Sequence, residues 1–135
     1  MKLIIYASNT NRDHSLALVR ALTGFVARKD IEKQVIITDL INDLDSDTWG
    51  SPVIIYTRQD DDLDQLLEYA RQLLNYRVVL VLHDDKMTTL AKGHKLRPRV
   101  LFSQPVDPAT IAAVIIRIWA GVAKKADKLS QVCQF

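Results

Sequence analysis

Apolar residues along the chain gather in short unbroken runs. Four stand out, Leu3–Ala7, Val35–Thr38, Val53–Tyr56 and Val78–His83, with a weaker fifth at Val100–Phe102. The runs are rich in β-branched residues and do not alternate, which predicts strands of a parallel sheet covered on both faces. Between them the spacing becomes helical. Leu18, Val19, Leu22, Phe25 and Val26 fall on one face of a 3.6-residue repeat, and Leu66, Leu67, Ala70, Leu73 and Leu74 repeat that spacing. Each set predicts one apolar stripe on one helix. A third long helix, from Pro108 to Ala126, is apolar nearly all round. Asp107 suits its N-cap and Pro108 its first position.

Two connections carry weaker patterns. Residues 40–51 hold Asn42, Asp43, Asp45, Ser46 and Asp47, and predict a loop with at most one short helical turn. Residues 86–98 leave room for a turn or two of helix at Met87–Lys92, with Gly93 as its stop and Pro98 ahead of the last strand. Right-handed crossovers then predict an α/β fold. Its five parallel strands form a doubly wound sheet in the order 2-1-3-4-5. The result is a flavodoxin-like or receiver-like three-layer sandwich with shortened second and fourth helices. No repeat, low-complexity tract or linker interrupts the chain, so residues 1–135 read as a single domain.

Composition narrows the function classes only a little. With 48% hydrophobic and 25% charged residues the chain is of ordinary globular make-up, and a net charge of +2 gives no argument for nucleic acid. The single cysteine, Cys133, cannot form an internal disulfide. That favours a reducing, cytoplasmic location. No apolar run reaches the length of a membrane span; Arg117 interrupts the nearest. Met1-Lys2 leads directly into the first apolar run, too short for a signal peptide.

In a sheet of this order, ligands meet the carboxyl ends of the strands near the switch point between the first and third. The residues there are Ala7, Ser8, Asn9, Thr57, Arg58, His83, Asp84, Ser103 and Gln104. The last of these opens a short signature: the strand Val100–Phe102, then Ser103-Gln104-Pro105, then Asp107-Pro108 at the start of the apolar helix. This resembles the end of a response-regulator receiver domain, where strand, Lys-Pro, an acidic residue and the final helix follow in that order. The resemblance implies an acidic pair after the first strand to hold Mg²⁺, an acceptor aspartate after the third, a Ser or Thr after the fourth and a lysine after the fifth. Here those positions hold Ala7-Ser8 (or Ser8-Asn9), Thr57, His83 and Gln104. A neutral site of this kind has no evident means of binding Mg²⁺ or stabilising an acyl phosphate. The resemblance therefore implies a pseudo-receiver. Such a module is non-catalytic, without Asp phosphorylation, cofactor or metal, and acts in signalling by protein–protein contact.

Other residues offer alternatives. Asp60, Asp62 and Asp64 match the first acidic positions of a calcium loop, but Gln65 stands where glycine is needed and Arg71 where the bidentate glutamate is needed. The acids fit better at the positive end of a helix. The loop Ser8-Asn9-Thr10-Asn11 is similar to the Ser/Thr-rich phosphate loop of flavodoxins, which implies a flavin mononucleotide or another phosphate-bearing ligand. It lacks glycine, and Trp49 and Tyr56 are the only nearby aromatic candidates. One of Asn9, Thr10 and Asn11 could equally cap the first helix. Lys92, His94, Lys95, Arg97 and Arg99 form a basic segment with no interleaved aromatic platform, which fits a solvated loop better than a nucleic-acid surface. His14, His83 and His94 show no metal-ligand spacing.

The last helix carries an apolar surplus. Ile111, Ile115, Ile118 and Val122 suffice to cover a sheet, whereas Ala112, Ala113, Ile116 and Ala120 lie on other sides, with Trp119 beside the first stripe. Such a surplus marks a partner surface. Ala112, Ile116, Trp119 and Ala120 are the expected interface for a protein partner or a second copy in a homodimer.

Overall fold

The computed structural model describes residues 2–44 and 50–132, with side chains placed for all of these except Asp43 and residues 122–132. Trp49, Cys133 and the segment Asp45–Asp47 lie outside the described residues, and so does the side chain of Val122.

The chain forms a five-stranded parallel sheet: β1 (Leu3–Tyr6), β2 (Ile31–Gln34), β3 (Pro52–Tyr56), β4 (Arg77–Leu82) and β5 (Val100–Ser103). The strand order is β2-β1-β3-β4-β5, as the sequence predicts. The helices are α1 (Arg12–Leu22, entered through a 3₁₀ turn at Asn9–Asn11), α2 (Ile37–Asp43), α3 (Asp60–Glu68), α4 (Ala70–Leu73), α5 (Met87–Lys95) and α6 (Pro108–Val132).

Alternation along the buried strands builds two cores. Ile4, Tyr6, Val53, Ile55, Leu80 and Leu82 face Leu40 of α2, Leu63 and Leu66 of α3, and Leu73 of α4. Leu3, Ile5, Ile54, Tyr56, Val79 and Val81 face Leu18 and Leu22 of α1 and Ile111, Ala112 and Ile115 of α6. Burial on both faces is why these strands read as unbroken apolar runs.

Three predicted boundaries are corrected. The second strand is Ile31–Gln34, and the run Val35–Thr38 is not a strand: Val35 and Ile36 are 48% and 57% exposed, and Ile37 opens α2. An edge strand has only one neighbour and tolerates the polar residues Glu32, Lys33 and Gln34. The second predicted helix breaks at Tyr69 into α3 and α4, leaving Leu74 exposed. Gly93 does not stop the fourth helix but lies inside α5. A Cβ there would come within 2.9 Å of Leu101 and 3.1 Å of Leu82, so glycine is what lets α5 lie so close to the sheet. Of residues 40–51, the described part holds one helical turn, residues 40–43 at the end of α2, as the sequence allows.

The outer strands differ. β2 carries Glu32 and Lys33, with an ion pair from Lys2 to Glu32 at 3.3 Å. β5 (Val100, Leu101, Phe102, Ser103) carries no charge. α6 has 25 residues, about 37 Å at 1.5 Å per residue. Strands of four to six residues span only about 13–20 Å. The helix therefore outruns the sheet it covers.

Candidate functional site

The strand ends bring the predicted positions together, and Thr57, His83 and Gln104 have partners that the sequence did not reveal. Ala7 is buried in the core behind β1. Thr57, 2% exposed, follows β3, and its hydroxyl meets His83 twice across the sheet. It accepts the His83 backbone N–H at 3.2 Å and lies 2.8 Å from His83 Nδ1. His83 Nε2 faces the Asp60 carboxylate, which can only accept, so in the neutral ring the proton sits on Nε2 and Nδ1 accepts from the Thr57 hydroxyl. His83 Nε2 then donates to Asp60 Oδ1 at 3.2 Å, with Asp84 Oδ2 at 3.5 Å.

This hydroxyl–imidazole–carboxylate chain has the order of a nucleophile, base and orienting acid. Thr57 is nonetheless sealed from solvent and its oxygen is engaged on both sides, so the chain is a strut between β3 and β4. Gln104 folds back on its own turn, where its Oε1 accepts the Val106 N–H at 3.2 Å. The Gln104–Pro105 peptide is cis. Arg58, Asp60, Asp61, His83, Asp84 and Lys86 line an open cleft of about 370 Å³ at this point.

His14 on α1 ties the other side together. Its Nε2 donates to the Val106 carbonyl at 2.8 Å, so in the neutral ring Nδ1 accepts from the Tyr56 hydroxyl, also at 2.8 Å. Burial pushes the Tyr56 hydroxyl well above its ordinary value, which keeps it protonated and able to donate. Among the described residues, no group of three or more His, Cys, Asp or Glu side chains is placed to hold a metal ion.

Asp84 organises the start of α5. Its carboxyl is held below the ordinary 3.8, chiefly by the Thr89 hydroxyl; the Lys86 backbone N–H and the His83 and Lys86 charges add to this, and burial opposes it. A lowered carboxyl contributes stability above its unfolded value and loses it as pH falls through the folded one. Urea midpoints of the native chain and of Asp84→Asn should therefore differ at neutral pH and begin to converge only as the pH falls below about 4.

The Ser8–Asn11 loop does not behave as a simple helix cap. Neither Ser8 nor Asn11 makes a side-chain capping bond. Asn11 Nδ2 instead donates to the Thr57 carbonyl at 3.4 Å. Ser8 Oγ is buried without a hydrogen-bond partner. Beside it opens a cavity of about 530 Å³ between the β1–α1, β2–α2 and β3–α3 connections. Its floor includes Asp62, 3% exposed, which accepts the Arg58 N–H at 3.0 Å and pairs with the Arg58 Nε at 3.4 Å. Asp60–Asp62 thus occupy the first turn of α3, where the sequence placed them, and Asp62 turns back to hold the preceding loop. Sequence reasoning missed this cavity because its apolar lip, Val35 and Ile36, was taken for a strand.

On α6, Ala112 is 4% exposed and belongs to the core, a correction to its expected place on an outer face. Ile116 and Trp119 pack partly against the same core, while Ala113 and Ala120 are exposed. No described helix is long and apolar enough to cross a membrane.

No family model matches the sequence, and no curated protein matches it. Solved structures do. A response regulator CheY-like protein of Mesorhizobium loti superposes with a TM-score of 0.64 at 12% identity, over 87% of this chain and 97% of that one. A pilus assembly-related protein of Burkholderia pseudomallei gives 0.61 at 20% identity, over 89% and 90%. A pilus assembly protein (cpaE) of Burkholderia thailandensis gives 0.58 at 17% identity, over 89% and 99%. The fold is receiver-like. At these identities the likeness extends to the fold alone.

Proposed function

We propose that this chain is a receiver-like signalling module that is not phosphorylated on aspartate and acts by protein–protein contact. The observation that carries the reading is the Thr57–His83 pair. Where a receiver presents its acceptor carboxylate, this chain holds a buried hydroxyl committed to an imidazole at 2.8 Å. Gln104, bonded to its own turn, supplies no cation there. Acetyl phosphate or beryllofluoride with Mg²⁺ should leave the amide NMR spectrum of the protein unchanged. A Mg²⁺-dependent shift of the residues around Thr57 overturns the reading.

The contact surface is the free edge of β5 with the outward side of α6, around Ile116, Trp119 and Ala120, and the occupant is a second copy of the chain. The uncharged edge strand and the helix that outruns the sheet favour it. Sedimentation velocity should give a dimer at micromolar concentration and a monomer for Ala120→Arg, a change on an exposed side chain. A native chain that stays monomeric when concentrated rejects the interface. The module would work in the cytoplasm, without a cofactor or nucleic acid.

A further inference from the structure

We propose that the cavity at the mouths of β1, β2 and β3 binds a small organic anion. Its carboxylate or phosphate would sit on Ser8 and Arg58, and its flat or apolar body against Val35, Ile36 and Tyr69. This goes beyond a protein-contact role and does not depend on it.

Three independent features converge on the cavity. The first is Ser8. It is 8% exposed, lines the cavity, and its Oγ is the one buried side-chain polar atom without a partner among the described residues. Buried hydroxyls are nearly always hydrogen-bonded, because leaving one unpaired costs stability. Neither capping nor the loop's own geometry uses it: the 3₁₀ turn closes through Asn11 N–H to the Ser8 carbonyl.

The second feature is Arg58. Asp62 takes its Nε and its backbone N–H, which fixes the guanidinium and leaves the terminal nitrogens to a ligand. Tyr6 lies on the same floor; burial, and then the Asp62 charge, raise its hydroxyl above the ordinary value, so it remains a proton donor. The third feature is the lip. Val35 and Ile36 are large aliphatic side chains left about half in solvent, and both line the cavity. A volume of about 530 Å³ lies in the range of small-molecule sites, roughly 300–1,000 Å³.

The charge balance limits the ligand. Arg58 is the one cation among the described residues of the lining, Asp62 pairs with its Nε, and Glu68 adds a second carboxylate. The cavity as a whole therefore attracts no polyanion, and an anion must be held by direct hydrogen bonds to the terminal nitrogens of Arg58, limited to one compact group.

The test is an amide NMR titration of the full chain with four probes: phenylacetate, phenyl phosphate, inorganic phosphate and benzyl alcohol. Phenylacetate or phenyl phosphate should shift Ser8, Asn9, Thr10 and Arg58, and which of them binds more tightly tells carboxylate from phosphate. Inorganic phosphate and benzyl alcohol should each bind about tenfold more weakly, lacking one half of the recognition. Ser8→Ala should weaken binding by about tenfold while the thermal midpoint of the free protein holds or rises, since an unpaired buried hydroxyl has been removed. Ile36→Ser, on an exposed side chain, should weaken binding without disturbing the fold. The proposal is overturned if neither organic anion shifts these residues, if benzyl alcohol binds as tightly as they do, or if Ser8→Ala leaves affinity unchanged.

Discussion

Replacing Ile54 with alanine should lower stability by about 3–4 kcal/mol. Ile54 is fully buried in the middle of β3, paired with Ile5 on one side and Val79 on the other. Its side chain faces α1 and α6, which Leu18, Leu22, Ile111 and Ile115 hold against the sheet. Two anchored helices cannot collapse into the space left by the lost atoms, so a cavity remains and its cost adds to the lost transfer energy. Urea unfolding should show a lower midpoint with an unchanged slope, and the thermal midpoint should fall by roughly 10 °C. Ile54→Val removes a single methylene and should cost about 1 kcal/mol. A fall of under about 1 kcal/mol for alanine would mean that the α1–α6 layer is free to close on the sheet.

Thr57→Val should cost about 2–3 kcal/mol with no change of shape. Valine fills the same volume, so no cavity forms, but two partners lose the hydroxyl at once. The His83 backbone N–H loses its acceptor and Nδ1 its donor. A buried backbone N–H left unpaired is the larger part of the loss. Thr57→Ser keeps the hydroxyl and should recover most of it. Ring ¹⁵N shifts of His83 give a second readout: the native chain should show the Nε2–H tautomer, and Thr57→Val a mixture. A stable Thr57→Val protein with an unchanged His83 ring would remove the strut between β3 and β4.

The central part of the fold was legible because it is buried on both sides. β1, β3 and β4 read directly as apolar runs, since every residue faces a core. β2 did not, for the same physical reason in reverse: at the edge, half-solvated, Ile31–Gln34 can be mostly polar, while the conspicuous apolar residues after it form the lip of a cavity. Gly93 misled because a glycine at a close helix–sheet approach looks the same in sequence as one at a helix end.

The candidate site was half legible. The positions at the strand ends came out of topology and motif order. Their partners did not, because the contacts of Thr57 with His83 and of His14 with Tyr56 and Val106 depend on strand register and helix placement. Ala112 joined the core because α6 presses both Ile111 and its neighbour toward the sheet, a wider buried face than one stripe.

The unequal edges of the sheet set a limit on assembly. Charged residues guard β2, so strand addition there is disfavoured, while β5 is open. A molecule with one such edge has a valence of one. Two copies meeting β5 to β5 about a twofold axis would form a single sheet of twice the width, antiparallel only at the seam, with a guarded β2 at each end. That joint is self-complementary and uses the same patch from both copies, so it leaves no surface of its kind for a third. In the proposed pair, growth along the sheet would stop at two copies, because each outer end would then be a charged β2.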